Sequence, residues 1–230
     1  MIDINGKLAL VTGASRGVGL RISKALADQG CNLILHARTL EATEYLAAEL
    51  LDTGITVHQV AAELSDFEEV MSLIAEIKGI SAEGIDILYN NAAIMSPYME
   101  SMVVPAKDYL LSFKVNSIVP AILCDAFLPG MLTRNWGRIV NVTSGIDSQP
   151  QLMAYSCSKA ALDRYVRDMV PRLAGSNVLM NLMDPGWLRT DLGGPQAPND
   201  PDSVSKGALV PVRLEKSAGS GKLYQAQEYV

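Results

Sequence analysis

The sequence predicts one α/β domain over residues 1–230, built as a doubly wound parallel sheet of about seven strands with helices on both faces. Three observations carry this. Short apolar runs alternate along the chain with longer runs of helical periodicity. The short runs are apolar throughout rather than at alternate positions, as strands buried on both faces must be. Turn residues, glycine above all, punctuate the joins. Helices inserted between such strands imply parallel crossover connections.

The elements follow in order. "KLALVTG" reads as the first strand, and "GLRISKALADQG" as a helix ended by Gly30. "CNLILHAR" is the second strand, and "LEATEYLAAELLDTG" a helix ended by Gly54. "ITVHQVAA" is the third strand. "DFEEVMSLIAEIKG" is a helix in which Asp66 is placed to cap the free N–H groups of the first turn. "IDILYNNAA" is the fourth strand, followed by a long helical stretch from about Lys107 to Leu132. Pro120 interrupts that stretch and withholds the N–H that would bond the Asn116 carbonyl. "GRIVNVTS" is the fifth strand, and a helix starts near Ala154. "NVLMNLMDPG" is the sixth strand and "KLYQAQEYV" supplies a seventh. Gly193–Ser205, "GGPQAPNDPDSVS", reads as a loop, either a substrate lid or an ordinary surface segment.

Composition narrows the functions. The chain is 49% hydrophobic with only 6% aromatic residues, so aliphatic side chains must fill the core. A formal net charge of -6 leaves no basic excess to neutralise phosphates, which argues against nucleic acid as a partner. Cys31, Cys124 and Cys157 have no paired spacing, and the two histidines stand apart, so no metal site is expected. Reduced thiols fit a cytoplasmic protein. "MIDINGKLALVTG" lacks the pattern of a secretion signal, and no apolar run is expected to reach the roughly 18 residues of a membrane span.

Chemistry enters with "VTGASRGVG", where Gly13, Gly17 and Gly19 lie between the first strand and its helix. Glycines there permit a sharp turn, close backbone approach to a pyrophosphate and tight helix–strand packing. The helix N-terminus adds free N–H groups and partial positive charge. In an alternating chain this indicates a Rossmann-type dinucleotide site. The second strand ends His36, Ala37, Arg38, with no acid to hold a ribose 2′-hydroxyl until Glu41. Arg16 and Arg38 are suited instead to a 2′-phosphate, so NADP(H) is the expected cofactor.

Further motifs stand in a fixed order: "NNAA" at Asn90–Ala93, Asn116 in "KVN", Ser144 in "NVTSG", Tyr155 with Lys159, and "PGWLRT" at Pro185–Thr190. With the glycine loop, they resemble the short-chain dehydrogenase/reductase family over nearly the whole chain. "DPGWLRTDLGG" is similar to its carbonyl-reductase-like members. The resemblance implies cofactor contacts from Gly13, Ser15, Arg16, Gly17, Val18, Gly19, Arg38, Glu63, Leu64, Asn91, Ala92, Ala93, Tyr155, Lys159, Pro185, Gly186, Leu188 and Thr190. It implies that Ser144 bonds the substrate oxygen, that Lys159 bonds the nicotinamide ribose, and that Asn116 holds a water relaying protons to Lys159. It also implies a homodimer or homotetramer. Ala93 stands where the family usually has glycine, and Glu63 where it usually has Asp. Eleven positions separate Ser144 from Tyr155, fewer than is usual, which leaves Thr143 as a second candidate hydroxyl.

Reducing a carbonyl needs a hydride donor, a proton donor and a group to hold the oxygen. An ordinary tyrosine, with a pKa of about 10, is a poor acid–base group at neutral pH. Lys159 lies one helical turn beyond Tyr155 on the same face, where its cation is placed to favour tyrosinate. Met95, Ile146, Met153, Trp187 and Leu192 supply a largely apolar wall for a small carbonyl or alcohol substrate. The leading reading is an NADPH-dependent reductase of ketones or aldehydes. Two others stay open: an inactive NADP-binding regulator, and an NAD-dependent alcohol dehydrogenase working in the oxidative direction. Nucleotide-sugar epimerases need a further domain that the 44 residues after Gly186 cannot supply.

Overall fold

The computed structural model describes residues 1–100 and 103–230. All seven expected strands form: β1 (Leu8–Val11), β2 (Asn32–Ala37), β3 (Val57–Ala61), β4 (Ile87–Asn90), β5 (Gly137–Val142), β6 (Val178–Asp184) and β7 (Leu223–Gln225). They make one sheet in the order β3-β2-β1-β4-β5-β6-β7, and every pairing is parallel. The chain winds outward from β1 to β3, then crosses back to lay β4 on the other side of β1. The carboxyl ends of β1 and β4 therefore flank the switch point, where such sheets bind ligands.

Helices α1 (Gly17–Ala27), α2 (Glu41–Leu51), α3 (Phe67–Ile80), α4 (Ala106–Phe113), α5 (Val119–Thr133), α6 (Met153–Leu173) and α7 (Val204–Leu209) cover the two faces. Alternate strand residues point to opposite layers. Leu10, Ile34, Leu88 and Ile139 pack with Val70, Phe127 and Val166 of α3, α5 and α6. Ala9, Val11, Leu33 and Tyr89 pack with Ile22, Leu46 and Val204 of α1, α2 and α7. This is why the central strands are largely apolar on both faces. Asp66 caps α3 as expected, its Oδ1 accepting from the Glu68 and Glu69 amides at 2.8 and 3.3 Å.

Three readings change in detail. Gly193–Ser205 is not all loop: Pro201–Ser203 forms a short 3-10 turn and α7 begins at Val204. α4 and α5 run on through one π-helical turn, Lys114–Ile118, in which the Val119 N–H reaches back to Lys114. The missing N–H of Pro120 is absorbed at that widened turn. The continuous helix Ala106–Thr133 is long and apolar enough to cross a membrane by length and composition, contrary to expectation. Half of its most apolar stretch is buried in the protein, where Val119, Leu123, Phe127 and Met131 contribute to the core.

Candidate active site

The predicted site residues fall just after the strands, at one edge of the sheet. After β1, Gly13 and Gly17 take φ of +66° and +55°, a region that side chains with a Cβ rarely adopt. Gly19 serves contact instead: a Cβ there would lie 2.1 Å from the Gly13 carbonyl oxygen. The Thr12 hydroxyl accepts from the Asn91 and Ala92 amides, both at 3.0 Å, and Asn91 Nδ2 donates to the Thr12 and Gly13 carbonyls at 2.8 and 3.2 Å. The loop is thereby tied to the end of β4. Ser15 and Val18 are half-buried beside it, as is Ala93 after β4.

Arg38 is exposed at the end of β2. Arg16, also exposed, is drawn to the opposite wall, where Nη1 pairs with Asp191 at 2.9 Å. Glu63 is half-buried and caps its own turn, accepting from the Ser65 amide at 2.8 Å. Leu64 and Leu188 are buried among core side chains, so only their backbones remain to face a ligand. Gly186 turns at φ +80°, and the Pro185 carbonyl accepts from Gln227 at 2.9 Å. Thr190 comes over the glycine loop: a Cβ on Gly17 would meet its Cγ2 at 3.5 Å.

The central group forms where β5 runs into α6. Tyr155 and Lys159 are buried on α6 and Ser144 lies half-buried beyond β5. The Lys159 ammonium donates to the Val142 carbonyl at 2.7 Å and stands 5.9 Å from the centre of the Tyr155 ring. Burial draws its pKa down to about 8. Tyr155 departs from expectation. Burial pushes its pKa above the ordinary value, the Asp184 carboxylate pushes the same way, and only the nearby Ser144 hydroxyl opposes them. Ser144 thus comes near the phenol despite the short spacing. Thr143 turns away and donates to Asp163, one turn beyond Lys159.

Asn116 also differs from expectation. Its fully buried amide accepts from the Ile94 N–H and donates to the Ile94 carbonyl, both at 2.9 Å, and donates to Ser158 Oγ at 3.0 Å. Both amide hydrogens serve protein groups, so the side chain locks the loop after β4 onto α6. The predicted substrate wall lies open. Trp187, Leu192 and Met153 are exposed, while Met95 and Ile146 are half-buried. The Trp187 indole N–H is fixed by the Gly193 carbonyl at 2.7 Å. Among the described residues no cluster of three His, Cys, Asp or Glu could hold a metal.

A family model described as short chain dehydrogenase matches residues 7–201. The chain belongs to the short-chain dehydrogenase family. It is similar to the 3-oxoacyl-[acyl-carrier-protein] reductase FabG of Aquifex aeolicus, 32% identical over 194 residues, covering 83% of this chain and 77% of that one. It is also similar to the oxidoreductase UcpA of Salmonella typhimurium, 35% identical over 214 residues, 89% of this chain and 79% of that one. A crystal structure of 3-oxoacyl (acyl-carrier-protein) reductase from Agrobacterium tumefaciens C58 with NADP bound superposes with a TM-score of 0.86 at 27% identity, covering 96% and 93% of the two chains.

Around this candidate site stand several polar residues that motif reading passed over. Ser96 accepts from the Tyr155 amide at 3.3 Å, and Ser158 donates to the Tyr155 carbonyl at 2.7 Å. Asp163 and Asp184 both place negative charge near Lys159. Asp184 could have been noticed as the one acid in its strand.

Proposed function

We propose that this dehydrogenase is an NADPH-dependent oxidoreductase that reduces a ketone or aldehyde to an alcohol. The observation that carries the reading is the meeting of Ser144, Tyr155 and Lys159 at the end of β5, on the same sheet edge as the glycine loop. The loop suits a dinucleotide: two glycines at positive φ and a helix N-terminus with no acid in its first turn. Arg38, with no acid at the end of β2, favours a 2′-phosphate, in keeping with the NADP held by the Agrobacterium relative.

Bound NADPH supplies the hydride. The chain's residues do the rest. Ser144 and Tyr155 direct their hydroxyls to the substrate oxygen. Tyr155 keeps its proton at Oη until that oxygen gains charge, then gives it up as general acid. A phenol held above its usual pKa suits this reductive direction, because it is fully protonated at neutral pH. The buried Lys159 ammonium stabilises the tyrosinate left behind. In the reverse direction the tyrosinate is the base. Asp184 beside the phenol opposes its ionisation and so favours the proton-donating state.

The substrate is a small molecule with one apolar flank, read by Trp187, Leu192, Met153, Met95 and Ile146. The segment 193–205 serves as its lid. Exposed Leu110, Leu111 and Ile118 on the α4–α5 face fit a homodimer or homotetramer, which light scattering tests. A cytoplasmic setting fits three free cysteines. The deciding experiment is NADPH oxidation against a panel of ketones, aldehydes, quinones and acyl-thioester ketones, with NADH as control. Turnover of none of them, or NADH as the better donor throughout, overturns the reading.

A further inference from the structure

The end of β2 carries a side chain for which this chemistry has no use. His36 is 2% exposed. Its Nδ1 lies 3.2 Å from the Gly13 amide nitrogen, and its Nε2 lies 3.1 Å from the Ala62 carbonyl oxygen. A backbone N–H only donates and a carbonyl only accepts. The ring is therefore the neutral tautomer with its hydrogen on Nε2. The His36 carbonyl also accepts the Ala14 N–H at 2.8 Å. Two consecutive amides of the glycine loop are thus held by this one residue, the first by its ring and the second by its backbone.

The first of these bonds completes a pair. The Thr12–Gly13 peptide offers its carbonyl to Asn91 Nδ2 at 2.8 Å and its N–H to His36 at 3.2 Å. One peptide plane is pinned at both ends, by β4 on one side and β2 on the other. One further plane, Gly13–Ala14, separates it from the loop amides that would face the pyrophosphate, and Gly13 turns between the two at φ +66°. Rotation of this plane re-aims everything from Ser15 to Gly17.

We propose that His36 is a positioning residue for cofactor binding, its Nδ1 acceptor fixing the Thr12–Gly13 peptide so that the glycine loop is preset for the dinucleotide. The inference rests on the reading of that loop as the NADPH site. It assigns the two ring nitrogens different weights. The Nδ1 bond to Gly13 sets affinity, whereas the Nε2 bond to Ala62 satisfies a neighbouring strand end.

Three variants separate these roles. His36→Asn keeps an acceptor at the Nδ1 position but falls short of Ala62. His36→Gln reaches Ala62 but loses the acceptor beside Gly13. His36→Leu removes both. NADPH affinity is read by fluorescence titration, with thermal denaturation of each variant alongside. Leaving a partly buried donor unpaired should weaken NADPH binding by about tenfold or more in the Leu and Gln variants. The Asn variant should stay close to the parent, and KM for NADPH should move more than kcat. Parental affinity in His36→Leu, equal affinity in the Asn and Gln variants, or affinity that simply follows thermal stability would overturn the proposal. If the Leu variant does not fold, the Asn–Gln comparison decides. A parent that binds no NADPH removes the cofactor reading itself, and this inference with it.

Discussion

Replacing Lys159 by methionine should abolish turnover while leaving the fold about as stable at neutral pH. Lys159 is 3% exposed, and burial takes its pKa from 10.5 down to about 8. At 1.36 kcal/mol per unit, the fold disfavours the ammonium against the amine by roughly 3 kcal/mol. The charge-assisted bond to the Val142 carbonyl returns about 1.5–3 kcal/mol. Methionine of similar length removes both terms, so the net change near pH 7 is small. The pH dependence is diagnostic. The unfolded chain holds this proton up to its ordinary pKa of 10.5, the folded chain only to about 8. Between those values the unfolded state binds more protons, so stability rises with pH. Parent stability relative to Lys159→Met should therefore climb by roughly 2 kcal/mol between about pH 8 and pH 9.5. Urea unfolding of both proteins across that range measures it, and the comparison cancels groups common to both. Parallel curves would refute the claim that Lys159 is held as a strained buried cation.

Four further outcomes are expected. Gly19→Ala places a Cβ 2.1 Å from the Gly13 carbonyl oxygen and 2.6 Å from Asn91 Nδ2. It should cost about 1–3 kcal/mol, seen as a lower Tm in thermal denaturation; an unchanged Tm would mean that helix and strand are loosely joined. Tyr155→Phe removes the proton donor and should lower kcat by about 10²–10⁴-fold with NADPH affinity intact by fluorescence. Retained turnover would take Tyr155 out of the acid role. Arg38→Asp should swing the ratio of kcat/KM from NADPH towards NADH. Asp191→Asn, which releases Arg16 from an exposed pair, should raise NADPH affinity by no more than about fivefold, since such pairs contribute about 1 kcal/mol at most.

The strands were legible because burial on two faces leaves an unmistakable apolar run, as in "CNLILHAR". Asp66 and the positive-φ glycines were legible because caps and tight turns are local chemistry. What escaped lies in contacts between distant parts of the chain. Helical spacing set Lys159 beside Tyr155, but the charge that acts on the phenol comes from Asp184 on another strand. Asn116 looked available because nothing in "KVN" reveals Ile94 and Ser158 as its partners. His36 finds its partners 23 and 26 residues away, and looked like one polar residue at a strand end. The short helix α7 went unread because proline and glycine dominate the residues before it.

The place of β1 between β2 and β4 bears on how the protein folds. Asn91, which ties the glycine loop down, lies 78 residues beyond Gly13. Closing so long a segment is entropically costly, and parallel pairings of this separation form slowly. On an emerging chain, the loop is made early and stays untied until the fourth strand arrives. The dinucleotide cradle is therefore a late product of folding, and nucleotide in solution has little to hold until half the sheet is in place.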